Sequence, residues 1–166
     1  MGITRRERIW IMNERINKIA LNDLAYIAGF IDGEGSLGIR KRVKKNTGNS
    51  YHTAFLVIHN TYEPTMKWLQ ALIGGSLRKI PQYSKNKKVK HKDIFVLSIE
   101  PRILRVFLPR VLPYLKQKKE HAEILLIFLK TKVYGRGRPI PTFILVQRDK
   151  LTQQIRSLNE RTANPI

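Results

Sequence analysis

Leu24-Ala25-Tyr26-Ile27-Ala28-Gly29-Phe30-Ile31-Asp32-Gly33-Glu34-Gly35 is the stretch on which the reading of this chain turns. From Leu24 to Ile31 it holds no charged residue. At helical periodicity Leu24, Ile27 and Ile31 share one face, Tyr26 and Phe30 a second, and Ala25, Ala28 and Gly29 a third. A helix that is apolar all round is buried on every side. Asn22 or Asp23 offers a cap at its start, and Gly33 and Gly35 offer a stop, so a helix is predicted over residues 24–32. One sheet covers only one side of such a helix. The small-residue face therefore needs a further partner, either another part of the chain or a second copy. Glycine costs about 1 kcal/mol against alanine in a helix interior, a loss that makes sense where two backbones touch at Gly29. An ordinary core helix with a tolerated glycine is the plainer alternative.

The acidic tip bears on that choice. Asp32 and Glu34 stand at the C-terminal end of the helix, where its dipole disfavours negative charge by about 0.3–1 kcal/mol each. If two copies pair through this helix in parallel, the carboxylates converge, and protons or cations must lie between them. Oxygen donors in a chain without cysteine favour Mg²⁺ or a similar hard divalent ion. Two solvated turn residues would be the bland reading of the same pair.

Downstream the period changes from helical to alternating. Leu37, Ile39 and Val43 fall on one face of a strand, and Ser36, Gly38, Arg40, Arg42 and Lys44 on the other, with Lys41 the one exception. A turn over residues 45–50 leads to a β-rich return over 51–60, which makes a hairpin. Pro64 suits the first turn of a helix that ends near Ile73, and Gly74-Gly75 terminates it. Residues 76–81 and 92–100 form a second strand pair, and Lys85, Lys87, Lys88 and Lys90 in the connection between them suit a phosphate backbone. Helices follow from Pro101 to about Val111, over 117–130 with a stripe of Ile124, Leu125, Phe128 and Leu129, and over 144–159. Before all of these, residues 4–20 place Arg5, Arg6, Arg8, Arg15 and Lys18 among Ile9, Trp10, Ile11, Ile16 and Ile19, a basic amphipathic helix or arm. The division expected is an N-terminal helix or arm over 1–20, a core over 21–131, and over 132–166 a loop with a C-terminal helix packed on the same domain. There is no internal repeat strong enough to count as a duplication.

Composition sets the partner. The 166 residues include 32 Lys plus Arg against 12 Asp plus Glu, a formal net charge of +20, with 42% hydrophobic residues. That apolar share supports one ordinary core and excludes a wholly disordered chain. The charge calls for an anionic partner, most often nucleic acid, with an acidic membrane surface the lesser option. The absence of cysteine removes disulfides, thiolate zinc sites and thiol nucleophiles. No stretch approaches the roughly 20 apolar residues that span a bilayer. A soluble, intracellular, DNA-associated protein of a prokaryotic cytoplasm or an organelle matrix is expected.

The segment Ile27-Ala28-Gly29-Phe30-Ile31-Asp32-Gly33-Glu34-Gly35 resembles the motif that names the LAGLIDADG homing endonucleases, with five of nine letters identical and four conservative. The resemblance covers about 21–130 and implies an α+β chain of αββαββα order, with an antiparallel four-stranded sheet packed with helices and an extra C-terminal helix. One motif implies a homodimer; Gln70-Ala71-Leu72-Ile73-Gly74-Gly75 looks superficially like a second but lacks the acids. Ala25, Ala28, Gly29 and Asp32 would then line the dimer interface, Asp32 as a residue that shapes the helix end. The resemblance also implies that Glu34, standing where aspartate is usual, binds Mg²⁺ or Mn²⁺ with the Gly33 carbonyl. Lys118, in Leu112-Pro113-Tyr114-Leu115-Lys116-Gln117-Lys118, would be the basic residue near the scissile phosphate, and His59 the polar residue that organises water. Without the resemblance, Lys118 reads as a solvated lysine and His59 as a structural hydrogen-bonding residue.

Arg40, Arg42 and Lys44, extended by Arg78 and Lys92, form a basic strand face suited to the major groove, where arginine reads guanine with about 1–3 kcal/mol of discrimination per good pair. The reading reached is an intron-encoded, metal-dependent endonuclease that cuts both strands of a long, pseudo-palindromic DNA site. Two alternatives remain open: an RNA maturase on the same scaffold, with intron RNA as partner, and a basic RNA-binding structural protein.

Overall fold

A computed structural model describes residues 2, 4–43, 48, 50–82, 92–131 and 140–163. The elements run α1 (Arg5–Asn17), α2 (Leu21–Glu34), β1 (Gly35–Val43), β2 (Ser50–Asn60), α3 (Glu63–Ile73), β3 (Ser76–Ile80), β4 (Ile94–Ile99), α4 (Pro101–Val111), a single 3-10 turn (Leu112–Tyr114), α5 (Lys119–Lys130) and α6 (Thr142–Ala163). The four strands form one antiparallel sheet in the order β1-β2-β4-β3. The α+β class and the αββαββα order from α2 to α4 are as expected.

Alternation explains the layers. Along β2, His52, Ala54, Leu56 and Ile58 are buried while the residues between them are half-buried, so one sheet face carries the helices and the other lies open. On the covered face Leu37 and Ile39 of β1 meet Leu56 and Ala54 across the ladder. Ile27 and Ile31 of α2, Leu104 and Phe107 of α4, and Leu125 of α5 complete the core against them. Burying such side chains contributes about 1.5–3 kcal/mol each.

Helix α2 departs from its predicted limits at both ends. It starts at Leu21 after Ala20, with no side-chain cap, and Asp23 lies inside the first turn, where the dipole suits an acid. It also runs through Gly33 to Glu34, because the Gly35 N–H still bonds to the Ile31 carbonyl. The chain then passes straight into β1. A Cβ at Gly35 would sit 2.7 Å from the Ile31 oxygen, so only glycine permits so abrupt an exit. Within one subunit Leu24, Ile27, Ala28 and Ile31 are buried, while Ala25, Tyr26 and Gly29 are exposed. At the end of α3, Gly74 and Gly75 stop the helix as expected, at φ of +93° and +103°.

The N-terminal segment docks as a helix. Thr4 and Glu7 cap α1 reciprocally. Arg110 of α4 donates to the carbonyls of Ile16 (2.8 Å) and Ile19 (3.1 Å), and Arg15 donates to the Ile73 carbonyl (3.1 Å). Ile16 and Ile19 thereby join the common core. Among the described residues no helix is long and apolar enough to cross a membrane.

Candidate active site and nucleic-acid surface

The tip of α2 is organised by Asp32. Its carboxylate accepts the backbone N–H of Lys116 (2.7 Å) and of Lys118 (2.9 Å), and the Lys118 ammonium donates to the Asp32 carbonyl. Four carbonyls at a helix C-terminus lack intrahelical partners, and an acid there is unfavourable; these donors satisfy the acid and one of the carbonyls. The interaction brings the loop before α5 to the end of α2. Burial lowers the pKa of the Lys118 amine, and the nearby charges of Asp32 and Glu34 act against that shift. Glu34, the last residue of α2, is exposed, and among the described residues its carboxylate makes no ion pair.

Register fixes what lies beside this tip. The last paired residues of the β1–β2 ribbon at this end are Gly35 and Ile58, so Glu34 and His59 flank the same end. His59 is exposed and stands opposite Val96, which stands opposite Arg78. Further along, Arg40 pairs with Thr53 and Arg42 with Tyr51 on the same open face. Arg40 lies over the Phe55 ring, 4.7 Å from its centroid, and Gly38 opposite leaves room for that ring, since a Cβ there would be 2.8 Å from it. Arg40, Arg42, Tyr51, Thr53, Phe55 and Arg78 border a groove of about 460 Å³.

Among solved structures, the chain is similar to the homing endonuclease I-CvuI in complex with the I-CreI target, at 19% identity and TM-score 0.62 over 82% of each chain. It is also similar to the archaeal intron-encoded homing endonuclease I-Vdi141I complexed with DNA (17%, TM-score 0.62, 82% of this chain and 84% of that one). A third is the homing endonuclease I-TnaI (18%, TM-score 0.54, 86% of this chain and 97% of that one). No family model and no curated protein matches the sequence. The fold is that of the LAGLIDADG homing endonucleases.

Within this LAGLIDADG fold, Glu34, Gly33, Lys118 and His59 gather at one end of the sheet, and Arg40, Arg42 and Arg78 share its open face. Lys92 is exposed two residues before β4. Lys44 and the lysines at 85, 87, 88 and 90 lie outside the described residues. On α2, Ala28 is buried inside the subunit, and the exposed small residues are Ala25, Gly29 and Gly33. One helical turn separates each of these from the next, whereas Ala28 is displaced by about 100° from Gly29 toward the core. Asp32 has its carboxylate bonded to the backbone of its own chain at 116 and 118.

Three residues escaped the sequence reading. His121 and Asn159 bond to each other beside Lys118, and Asp149 bonds to Lys41 and His52 under the ribbon. Only Lys41 left a signal: a lysine out of step on an apolar strand face calls for a carboxylate from elsewhere.

Proposed function

We propose that this chain is a site-specific DNA endonuclease that acts as a homodimer on a long, pseudo-palindromic duplex with Mg²⁺ or Mn²⁺. The observation that carries the reading is the placement of Glu34 and Lys118 together at the end of a ribbon whose open face bears Arg40 and Arg42. A twisted ribbon of that width fits the major groove. The exposed stripe of Ala25, Gly29 and Gly33 supports close contact with the same helix of a second copy, since among the described residues nothing outside the helix's own backbone and the adjoining residues lies within 4 Å of a Cβ at Gly29 or Gly33. Two-fold pairing sets one Glu34 against each DNA strand.

The donor set bears on the metal. No group of three or more His, Asp or Glu able to hold an ion occurs among the described residues. One chain therefore offers the Glu34 carboxylate and the Gly33 carbonyl, hard oxygens that would hold a divalent ion. Such an ion, when bound, neutralises phosphate charge and makes water more acidic. The chain's own residues do the rest. Asp32 holds the backbone at 116–118 so that the Lys118 ammonium stays beside the tip, where it stabilises charge that develops on the phosphate. His59, at the same end, orients water for attack along the line of the leaving oxygen.

The test uses the full chain and a plasmid carrying the uninterrupted insertion site read from the DNA that flanks its coding sequence. Linear product with Mg²⁺ and none with chelator is expected. Tight binding of intron RNA with no cutting of DNA would overturn the reading in favour of a maturase.

A further inference from the structure

Lys118 is the N-cap residue of α5, and His121 follows one turn later on the same helix. His121 is only 7% exposed, and its Nε2 donates to Oδ1 of Asn159 in α6 at 3.0 Å. With Nε2 carrying the hydrogen, Nδ1 is left as an acceptor, buried and without a partner among the described residues. A leucine at 121 would fill the same space without that unfavourable atom. Around the pair lies a cavity of about 260 Å³ bordered by Ser36, Gln117, Lys118, His121 and Asn159, together with Gly35, the residue next to Glu34. Polar side chains from β1, α5 and α6 thus converge behind the Glu34–Lys118 end of the sheet.

Lys118 is held from two directions. On one side Asp32 of α2 takes the backbone N–H groups at 116 and 118. On the other, α6 reaches the first turn of α5 through the Asn159–His121 bond. We infer that His121 and Asn159 are positioning residues for Lys118: the bond between them fixes the first turn of α5, and with it the reach of the lysine toward the phosphate beside Glu34. The C-terminal helix is therefore part of the active-site scaffold as well as of the core. The inference rests on the endonuclease reading, because it assigns these residues a place in that reaction.

Four variants separate a hydrogen-bonding role from packing and from direct chemistry. The amide nitrogen of glutamine reaches about as far as Nε2, so His121→Gln keeps the donor, whereas His121→Phe keeps the volume and loses it. Asn159→Leu removes the acceptor from an exposed position of α6, where substitution spares the core. The double variant His121→Phe with Asn159→Leu tests coupling. Cutting rate at saturating DNA, DNA dissociation constant and thermal midpoint are measured for each. His121→Phe and Asn159→Leu are expected to slow cutting roughly tenfold to hundredfold, as small misplacements of catalytic groups do, with the dissociation constant unchanged. His121→Gln should cut nearly as the wild type, and the double variant no more slowly than the singles. Should His121→Phe fail to fold, Asn159→Leu alone decides, and wild-type cutting by it overturns the inference. Wild-type cutting by His121→Phe with loss in His121→Gln points to packing and overturns it too. A wild-type chain that binds DNA with metal and never cuts overturns the endonuclease reading itself, which is a separate outcome.

Discussion

Asp32 illustrates how an acid at the unfavourable end of a helix becomes useful. Its carboxylate is satisfied by two backbone N–H groups that lie 84 and 86 residues away. Removing it by Asp32→Ala strands those donors, which should lower stability by about 1–3 kcal/mol and let Lys118 drift. A drop in thermal midpoint together with slower cutting would check both effects. Glu34→Gln differs, because that carboxylate is exposed and supports no fold contact: DNA affinity should persist while cutting disappears, as read by gel shift and plasmid linearisation. Lys118 gives a pH prediction. Burial holds its amine below the ordinary lysine value, so the ammonium is lost at lower pH than a solvated lysine would lose it. Cutting should therefore fall early on the alkaline side, and Lys118→Arg should move that limit upward if the longer side chain still reaches. Stability runs the other way. The unfolded chain holds the proton more tightly than the folded one, so this group's contribution becomes more favourable as pH rises through the lowered value.

Among the elements, α6 matters most for what the sheet can do. Asp149 lies on it and accepts from the Lys41 ammonium at 2.8 and 3.1 Å, and from His52 Nε2 at 3.0 Å. Lys41 and His52 face each other across β1 and β2 on the covered side, directly between the pairs that carry Arg40 and Arg42 on the open side. The out-of-step lysine is thus the far end of a tether between α6 and the ribbon. The Lys41 hydrogen bond is the main reason that Asp149 titrates below the ordinary carboxylate range, with His52 adding to it and burial opposing it. A lowered acid stabilises the fold above the unfolded pKa and loses that contribution as pH falls through the native one. Asp149→Asn should therefore flatten the acid limb of the stability curve and increase amide exchange in α6. The alternating pattern of β1 was readable without structure, yet the partner of its exception was not, since the two lie 108 residues apart.

Over the whole molecule, net charge and the proposed pairing through α2 set what is expected. A formal charge of +20 on 166 residues should make the affinity for the proposed DNA partner fall steeply with salt, with a log–log slope of about −0.9 per phosphate neutralised. Titration of binding against salt checks this, and a flat response would contradict it. Gly29→Leu probes the proposed pairing at an exposed position, because among the described residues a Cβ at 29 meets nothing within 4 Å beyond its own helix backbone and adjoining residues. The variant should fold with a normal melt, sediment as a monomer and fail to cut both strands. A fully dimeric, active Gly29→Leu would count against pairing through α2.

The amino-acid order alone determined the α+β class, the motif helix, the two hairpins and the helices that follow, because each rests on local periodicity or on a glycine or proline acting on its own neighbours. It also gathered Glu34, Lys118 and His59 as candidates through the resemblance of one short segment. Tertiary packing alone decided which side of α2 lies inside, so that Ala28 is buried while Gly33 joins the exposed stripe. It likewise decided that Asp32 holds the loop before α5, and that Asn159 and Asp149 of α6 reach beneath the two ends of the ribbon. Such contacts join residues far apart in the chain, and a hydrogen bond that forms only when separate elements pack leaves no periodic trace in either of them.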